Sequence, residues 1–377
     1  MPQRAPGLTI DTLVTQPGAW LARGRDNGIV VSSRIRLARN VRGVAFPGWA
    51  GKEERVRLCR RLCECLAAAP AMEQPLVLEM ARLEPLDRSL LVERHLISRE
   101  LAERGEGSAV VVSRDEGLAA MVNEEDHLRL QAMAPGLELP ALWERVNALD
   151  TGLERHMTYA FGERLGYLTA CPTNVGTGLR ASAMLHLVGL RLAGELEAVV
   201  KGLDRIGLAV RGIYGEGTEA FGHMFQISNQ GTLGESESTI LERLEMVVRD
   251  MVNHERNARA RLLESRPVKV HDYIGRAIGV LEHARLLTSG EVLDFLSALR
   301  LGVELGLIKK LTTARLNEIM LSTQAAHLQK LTGRLLEQEP RDALRAGLVR
   351  QKLAGLVWSD GDDDNALERD NSVRIEP

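Results

Sequence analysis

The spacing of apolar residues changes character once along this chain, and that change limits the folds open to it. Before Glu235, short β-branched or alternating runs are interleaved with helical ones; from there on only helical spacing remains. Strands are predicted from residue 29 and over 109–113, 117–123, 127–133, 208–213 and 224–228. Helices are predicted over 52–69, 87–103 and 140–157, in a segment running to Gly207, and then over 236–265, 270–287, 291–301, 312–336 and 341–357. A mixed part followed by an all-helical part is an α+β arrangement with a boundary near residue 265. We divide the chain into an N-terminal arm with little core (1–28), a mixed domain (29–265), a helical domain (266–358) and an acidic, disordered tail (359–377).

Residues 168–187 read LTACPTNVGTGLRASAMLHL: a short strand, a polar turn opened by Gly176 and Gly178, and a helix with Arg180 in its first turn. Such a turn aims backbone N–H groups at an anion, although a plain connection has the same outline. Charge then decides where to look. With a net charge of -3 over 377 residues there is no general basic field for nucleic acid, so clustered arginines matter more than the total. Arg34 and Arg36 share one face of the first strand, and two adjacent guanidinium groups repel unless an anion lies between them or water screens an edge.

Asn123-Glu124-Glu125-Asp126-His127 sets three carboxylates side by side at a strand end, with Arg129 close behind. Such a run favours a cationic partner or a well-solvated turn. The segment RGIYGEGTEAFG carries four glycines with Glu216 at its crest, which suits a loop closing over a ligand or a long hairpin connection. Of the four cysteines, Cys59, Cys63 and Cys65 share one helix without a second ligand pair at zinc spacing, and Cys171 stands apart. We expect neither a disulfide framework nor a metal held by protein ligands. No apolar run reaches about 18 residues and no signal peptide is evident, so a cytoplasmic location is expected.

Arginines 34, 36, 129, 180 and 211 with carboxylates 125 and 216 suit a nucleoside triphosphate with Mg²⁺ facing a cationic acceptor. Neither a P-loop lysine motif nor an H-R-D motif is present. A guanidinium fits the two carboxylates, and with a pKa above about 12 it needs one of them to take its proton before it can attack.

The segments SSRIRLARN, VNEEDHLRL, CPTNVGTGLR, RGIYGEGTE and ISNQGTLGESE occur in the order found in the phosphagen (guanidino) kinases, which this chain resembles. The resemblance implies a curved antiparallel sheet flanked by helices and an arginine cage for ATP. It implies nucleotide contacts at Ser32, Ser33, Arg34, Ile35, Arg36, His95, Arg129, Arg180, Ala181, Ser182, Ala183, Met184, Arg211, Gly212, Ile213, Tyr214, Gly215 and Glu216. It gives Glu125 and Glu216 the guanidinium and its proton, and Cys171 the place of a reactive cysteine. The short N-terminal segment and the C-terminal helices depart from the small-substrate enzymes and resemble the bacterial protein arginine kinases of the McsB type. That likeness implies phosphorylation of protein arginines, with Arg341, Asp342, Arg345 and Ala346 as an allosteric phosphoarginine-binding motif. It also implies a homodimer, a zinc-binding activator protein, and a heat-shock repressor and a Clp unfoldase among the targets, in stress response and degradation. A kinase of a free guanidino compound and an inactive phosphoarginine-binding adaptor are the alternatives.

Overall fold

The structure, a computed structural model, describes residues 9–22, 24, 28–212 and 220–358. Helix α1 (Ile10–Thr15) leads into strand β1 (Val30–Arg39), followed by α2 (Lys52–Ala68), β2 (Leu76–Glu79), α3 (Pro85–Glu93) and α4 (Arg99–Ala102). Strands β3 (Ala109–Val112), β4 (Leu118–Val122) and β5 (Leu128–Pro135) precede α5 (Leu139–Glu154) and a small hairpin, β6 (Phe161–Gly162) and β7 (Gly166–Tyr167). The mixed part continues with β8 (Leu179–His186), α6 (Val188–Ala193), α7 (Leu196–Arg205), β9 (Leu208–Gly212), β10 (Met224–Asn229) and α8 (Glu237–Ser265). Helices α9 (Pro267–His283), α10 (Ser289–Glu304), α11 (Thr313–Ser322), α12 (Ala325–Thr332) and α13 (Gln338–Leu353) complete it, with β11 (Ile308–Lys309) and β12 (Val357–Trp358) pairing beside them.

The large strands form one eight-stranded sheet in the order β2-β3-β4-β5-β1-β8-β10-β9, antiparallel throughout. One face is dry along its length. Ile35, Leu37, Leu130, Ala181, Ala183 and Ile227 lie there against α2, α5 and α8. Leu58, Leu62 and Leu66, spaced four apart, turn one stripe of α2 into that core. The buried pair Arg39–Asp150, 2.7 Å, ties β1 to α5.

The other face is dry only towards its margins. Val110, Val112, Ala119 and Met121 pack there against Leu90, Leu91 and Leu101, while Trp20, Val31, Met133 and Met224 make a smaller cluster. Between them lies a polar strip.

Four expectations need correction. Leu179–His186 is a strand, because central pairing with β1 and β10 uses its alternation of Leu179, Ala181, Ala183 and Leu185 against Arg180, Ser182, Met184 and His186. Arg180 therefore opens no helix. The helix expected over 87–103 is two, broken at His95, whose φ of 58° is left-handed. The arm is not free of the core, since Leu13, Trp20 and Leu21 are buried. The span 312–336 likewise divides into α11 and α12. The acidic tail lies outside the described residues.

Candidate active site

Period two along β1 places Ser32, Arg34 and Arg36 on the polar strip. In register beside them stand Arg180, Ser182 and Met184 of β8, Arg129 and Gln131 of β5, and Gln226 of β10 with Arg211 of β9 opposite it. Five arginines of the sequence reading thus share one sheet face. The same parity sends Ser33, Ile35, Ala181 and Ala183 the other way. The Ser33 hydroxyl accepts the Glu138 N–H at 3.0 Å, and the Ala181 N–H donates to Asn229 Oδ1 at 2.8 Å. No side chain at these four positions reaches the strip.

Over this floor the segment joining α3 to α4 forms a wall. Val92, His95, Ile97 and Ser98 enclose, with Arg34, Arg36, Met184, Arg211 and Gly212, a cavity of about 440 Å³. Arg34 Nη2 donates to Gln226 Oε1 at 2.8 Å, and the His95 carbonyl accepts from Gln131 Nε2 at 2.7 Å. Burial first, and the Arg34 charge second, bring His95 down to about 3, so its ring is neutral at physiological pH.

Alongside lies a smaller recess of about 130 Å³ lined by Arg36, Glu125, Arg129, Cys171, Thr173, Asn174, Gly178 and Arg180. The three neighbouring acids have separate tasks here. Glu124 is buried, accepting from Arg129 Nη1 at 2.7 Å and from the Ser98 hydroxyl. Asp126 accepts from Asn40 Nδ2 at 2.6 Å and from the Ala170 N–H at 2.7 Å, which anchors the loop carrying Cys171. Glu125 remains turned to the recess, its side chain 42% exposed, with Arg129 Nη2 at 3.2 Å. Burial raises its pKa above the ordinary carboxylate range, opposed by the Arg129 charge and reinforced by Asp126 and Glu124. Cys171 Sγ lies 3.0 Å from Thr173 Oγ1, at the same opening.

The Cys171 loop can reach back because of two glycines. Gly178 has φ +66°, and a side chain there would meet the Ala38 carbonyl at 2.7 Å. Gly176, at φ +116°, has Thr232 O where a Cβ would sit, 2.1 Å away.

Charge in the strip is poorly compensated from within. Burial, then the Arg129 and Arg180 charges, bring Arg34 down from 12.5 to about 10. Arg36 is pushed well below its ordinary value by burial and by Arg34, Arg129 and Arg180; Arg180 is lowered by burial and Arg211. The Nε atoms of Arg36 and Arg180 are buried without a hydrogen-bond partner. Glu124 and Glu125 both pair with Arg129, so the remaining arginines call for an external polyanion.

Other expected residues lie elsewhere. Ile213, Tyr214, Gly215 and Glu216 fall outside the described residues. In α13, Arg345 is buried, donating to Thr323 O and Leu287 O at 2.8 Å each and pairing with Asp342, while Ala346 is fully enclosed. Arg341 is half-buried and its Nε has no hydrogen-bond partner. The Arg341 charge lowers the Arg345 pKa after burial, so the two guanidinium groups are neighbours, Arg345 enclosed and Arg341 nearer the surface. Cys59 packs into the core from α2, with Cys63 and Cys65 beside it. Sequence reasoning missed Gln226, Gln131, Asn40 and Ser98. Parity in β10 and β5 was a usable signal for the two glutamines; nothing local marked the other two.

Residues 60–258 match the family described as ATP:guanido phosphotransferase, C-terminal catalytic domain, and residues 267–365 match the protein-arginine kinase McsB C-terminal domain. A protein-arginine kinase of Pelotomaculum thermopropionicum is 45% identical over 341 residues, covering 89% of this chain and 96% of its own length. One from Halalkalibacterium halodurans is 45% identical, with coverages of 89% and 94%. Among solved structures, lombricine kinase superposes with a TM-score of 0.55 at 26% identity, over 70% of this chain and 74% of that one. The duplicated taurocyamine kinase of Schistosoma mansoni gives 0.56 at 26% identity, over 70% of this chain and 38% of that longer one.

Proposed function

The chain belongs to the protein-arginine kinases of the ATP:guanido phosphotransferase family, and on that premise we propose how its sheet face carries out the transfer. As a member of that family it moves the γ-phosphoryl group of ATP to arginine side chains of proteins. The larger cavity takes the nucleotide, with Arg34, Arg36 and Arg211 in its lining, Arg129 and Arg180 next to Arg36 in the adjoining recess to compensate the phosphate end, and His95 on the facing wall. The smaller recess takes the guanidinium of the target arginine.

Glu125 aligns a guanidinium nitrogen and accepts its proton as that nitrogen bonds to the γ-phosphorus. The bond from phosphorus to the β,γ-bridging oxygen breaks, and its electron pair leaves with ADP. Arg36, Arg129 and Arg180 belong to the recess and Arg36 also to the nucleotide cavity, so charge developing during transfer lies between fixed cations. The observation that carries this reading is the shared border at Arg36: the anion site and the acid that faces a guanidinium are neighbours on one floor. Glu216 is proposed as the second carboxylate and Cys171 as a thiol beside the acceptor.

Mg²⁺ fits as a companion of the nucleotide. No cluster of three or more metal-ligating side chains occurs among the described residues, and Mg²⁺ is commonly held by phosphate oxygens and water with few protein ligands. At α13, phosphoarginine reading would fall to Arg341 and Asp342, with Arg345 holding Asp342 in place. The division near residue 265, between α8 and α9, is proposed as the boundary between the catalytic and helical domains. A homodimer, a zinc-binding activator, and repressor and unfoldase targets are carried by the family resemblance. No described helix is long and apolar enough to cross a membrane.

The test is incubation of the chain with ATP·Mg²⁺, a test protein and free arginine, followed by mass spectrometry at neutral pH. Phosphate on protein arginine and none on the free amino acid is expected. Phosphate on free arginine would overturn the choice of acceptor, and the activity should fall about 100-fold or more in Glu125→Gln.

A further inference from the structure

The wall that brings His95 to the nucleotide cavity is held from the helical region of the chain. Helix α3 ends at Glu93, whose Oε1 accepts the Ala326 N–H at 2.6 Å and whose Oε2 accepts the His327 N–H at 3.0 Å and His327 Nδ1 at 2.7 Å. A carboxylate from one region thus satisfies the free N–H groups in the first turn of α12, which belongs to the other. Nδ1 of His327 is then the donor, which leaves Nε2 to face Arg94 Nη1 at 3.5 Å.

Arg94, wholly buried, forks onto Glu116 with Nε at 2.9 Å and Nη2 at 2.6 Å, and its Nη1 donates to the Leu13 and Gln16 carbonyls of the arm. Its own carbonyl accepts from Trp20 Nε1 at 3.1 Å, and the Trp20 ring meets His95 edge-on at 4.7 Å. Four parts of the chain therefore meet immediately behind His95: the arm, the end of α3, the β3–β4 turn and α12. Their convergence accounts for a conformation that would otherwise relax. A non-glycine residue at φ 58° persists where its surroundings over-determine it.

We propose that Glu93, Arg94 and His327 are positioning residues for ATP: through His327 the helical region fixes the His95 wall over the arginine floor. The proposal rests on the reading of that cavity as the nucleotide site. Arg345 of α13 donates to Thr323 O, two residues before α12 begins, so the same support extends to the candidate phosphoarginine motif.

The test uses the full chain, with ATP affinity from calorimetry and KM and kcat from steady-state phosphorylation of a test protein. His327→Ala should raise the Kd and KM for ATP about tenfold, equivalent to about 1.4 kcal/mol, while kcat stays within about threefold. His327→Asn, which keeps an N–H for Glu93, should restore most of the affinity. Lys330→Ala removes the α12 ion pair to Asp87 without touching Arg94 and should leave ATP binding near the parent value. If His327→Ala does not fold, Glu93→Gln keeps the shape, loses the charge and should weaken ATP in the same direction.

Unchanged ATP affinity in His327→Ala or Glu93→Gln, beside a clear loss in Arg34→Gln, would overturn the proposal and spare the nucleotide reading. An equal loss in Lys330→Ala would overturn the assignment to His327. Unchanged affinity in Arg34→Gln would instead remove the nucleotide reading itself.

Discussion

Replacing Arg34 by Gln should make the nucleotide-free protein more stable and the nucleotide-bound protein less so. Arg34 lies enclosed among Arg129, Arg180 and other cations, and its pKa falls from 12.5 to about 10. Since the folded value lies below the unfolded one, the charged form opposes folding in full below pH 10 and the penalty fades only as pH rises above it. The shift corresponds to about 3 kcal/mol, and water admitted by the cavity reduces that to roughly half. Against this stands the bond to Gln226, about 1 kcal/mol, part of which glutamine re-forms. A net gain of about 1 kcal/mol should raise Tm by about 2 °C in a chain of this size. With ATP at about 100 times its Kd the parent gains about 2.7 kcal/mol, and a variant lacking one phosphate contact gains much less. Differential scanning fluorimetry with and without ATP should show the two melting curves exchanging order. A variant that melts below the parent without nucleotide would refute the view of the strip as a strained, anion-seeking surface.

Glu125→Gln should lower kcat by about 100-fold or more, as loss of a proton acceptor does, while calorimetry finds ATP affinity little changed. The pH profile should carry the same residue's signature. Glu125 acts as the ionised base and its pKa is raised, so kcat/KM should fall, as pH is lowered, at a higher pH than an ordinary glutamate would give. Gly176→Ala places a Cβ 2.1 Å from Thr232 O at φ +116° and should cost more than about 1 kcal/mol, read as a lower Tm. Ser297→Ala removes the hydroxyl between His186 Nε2, at 2.7 Å, and His223 Nδ1, at 2.9 Å; leaving buried nitrogens unpaired should cost about 1–3 kcal/mol in chemical denaturation.

Much of the floor was legible because β-structure writes its parity into sequence. Arg34 and Arg36 announce one face of β1, and the turn after Asn123 announces the edge of the recess. Strand β8 was misread because Leu, Arg, Ala and Met all favour helices, and burial between two neighbours overrode that preference. The break at His95 carries no glycine or proline, since contacts from Trp20 and Gln131 maintain it. Leu13 and Trp20 sit in an arm rich in Pro, Gly and polar residues, and the surfaces that bury them come from remote stretches, Leu13 sharing a cluster with Ala326 and Trp20 with Leu321. Contacts of that range leave no periodicity to read.

The size of the recess has a consequence for target choice. About 130 Å³ is the space of a few water molecules, enough for a guanidino head and little of the stem behind it. With the recess as the proposed guanidinium site, the flanking residues of a target stay outside it. Selection then falls on whether an arginine can extend from its own fold, so loops, frayed ends and unfolded stretches should be modified ahead of arginines held in ion pairs, with little regard for the neighbouring letters.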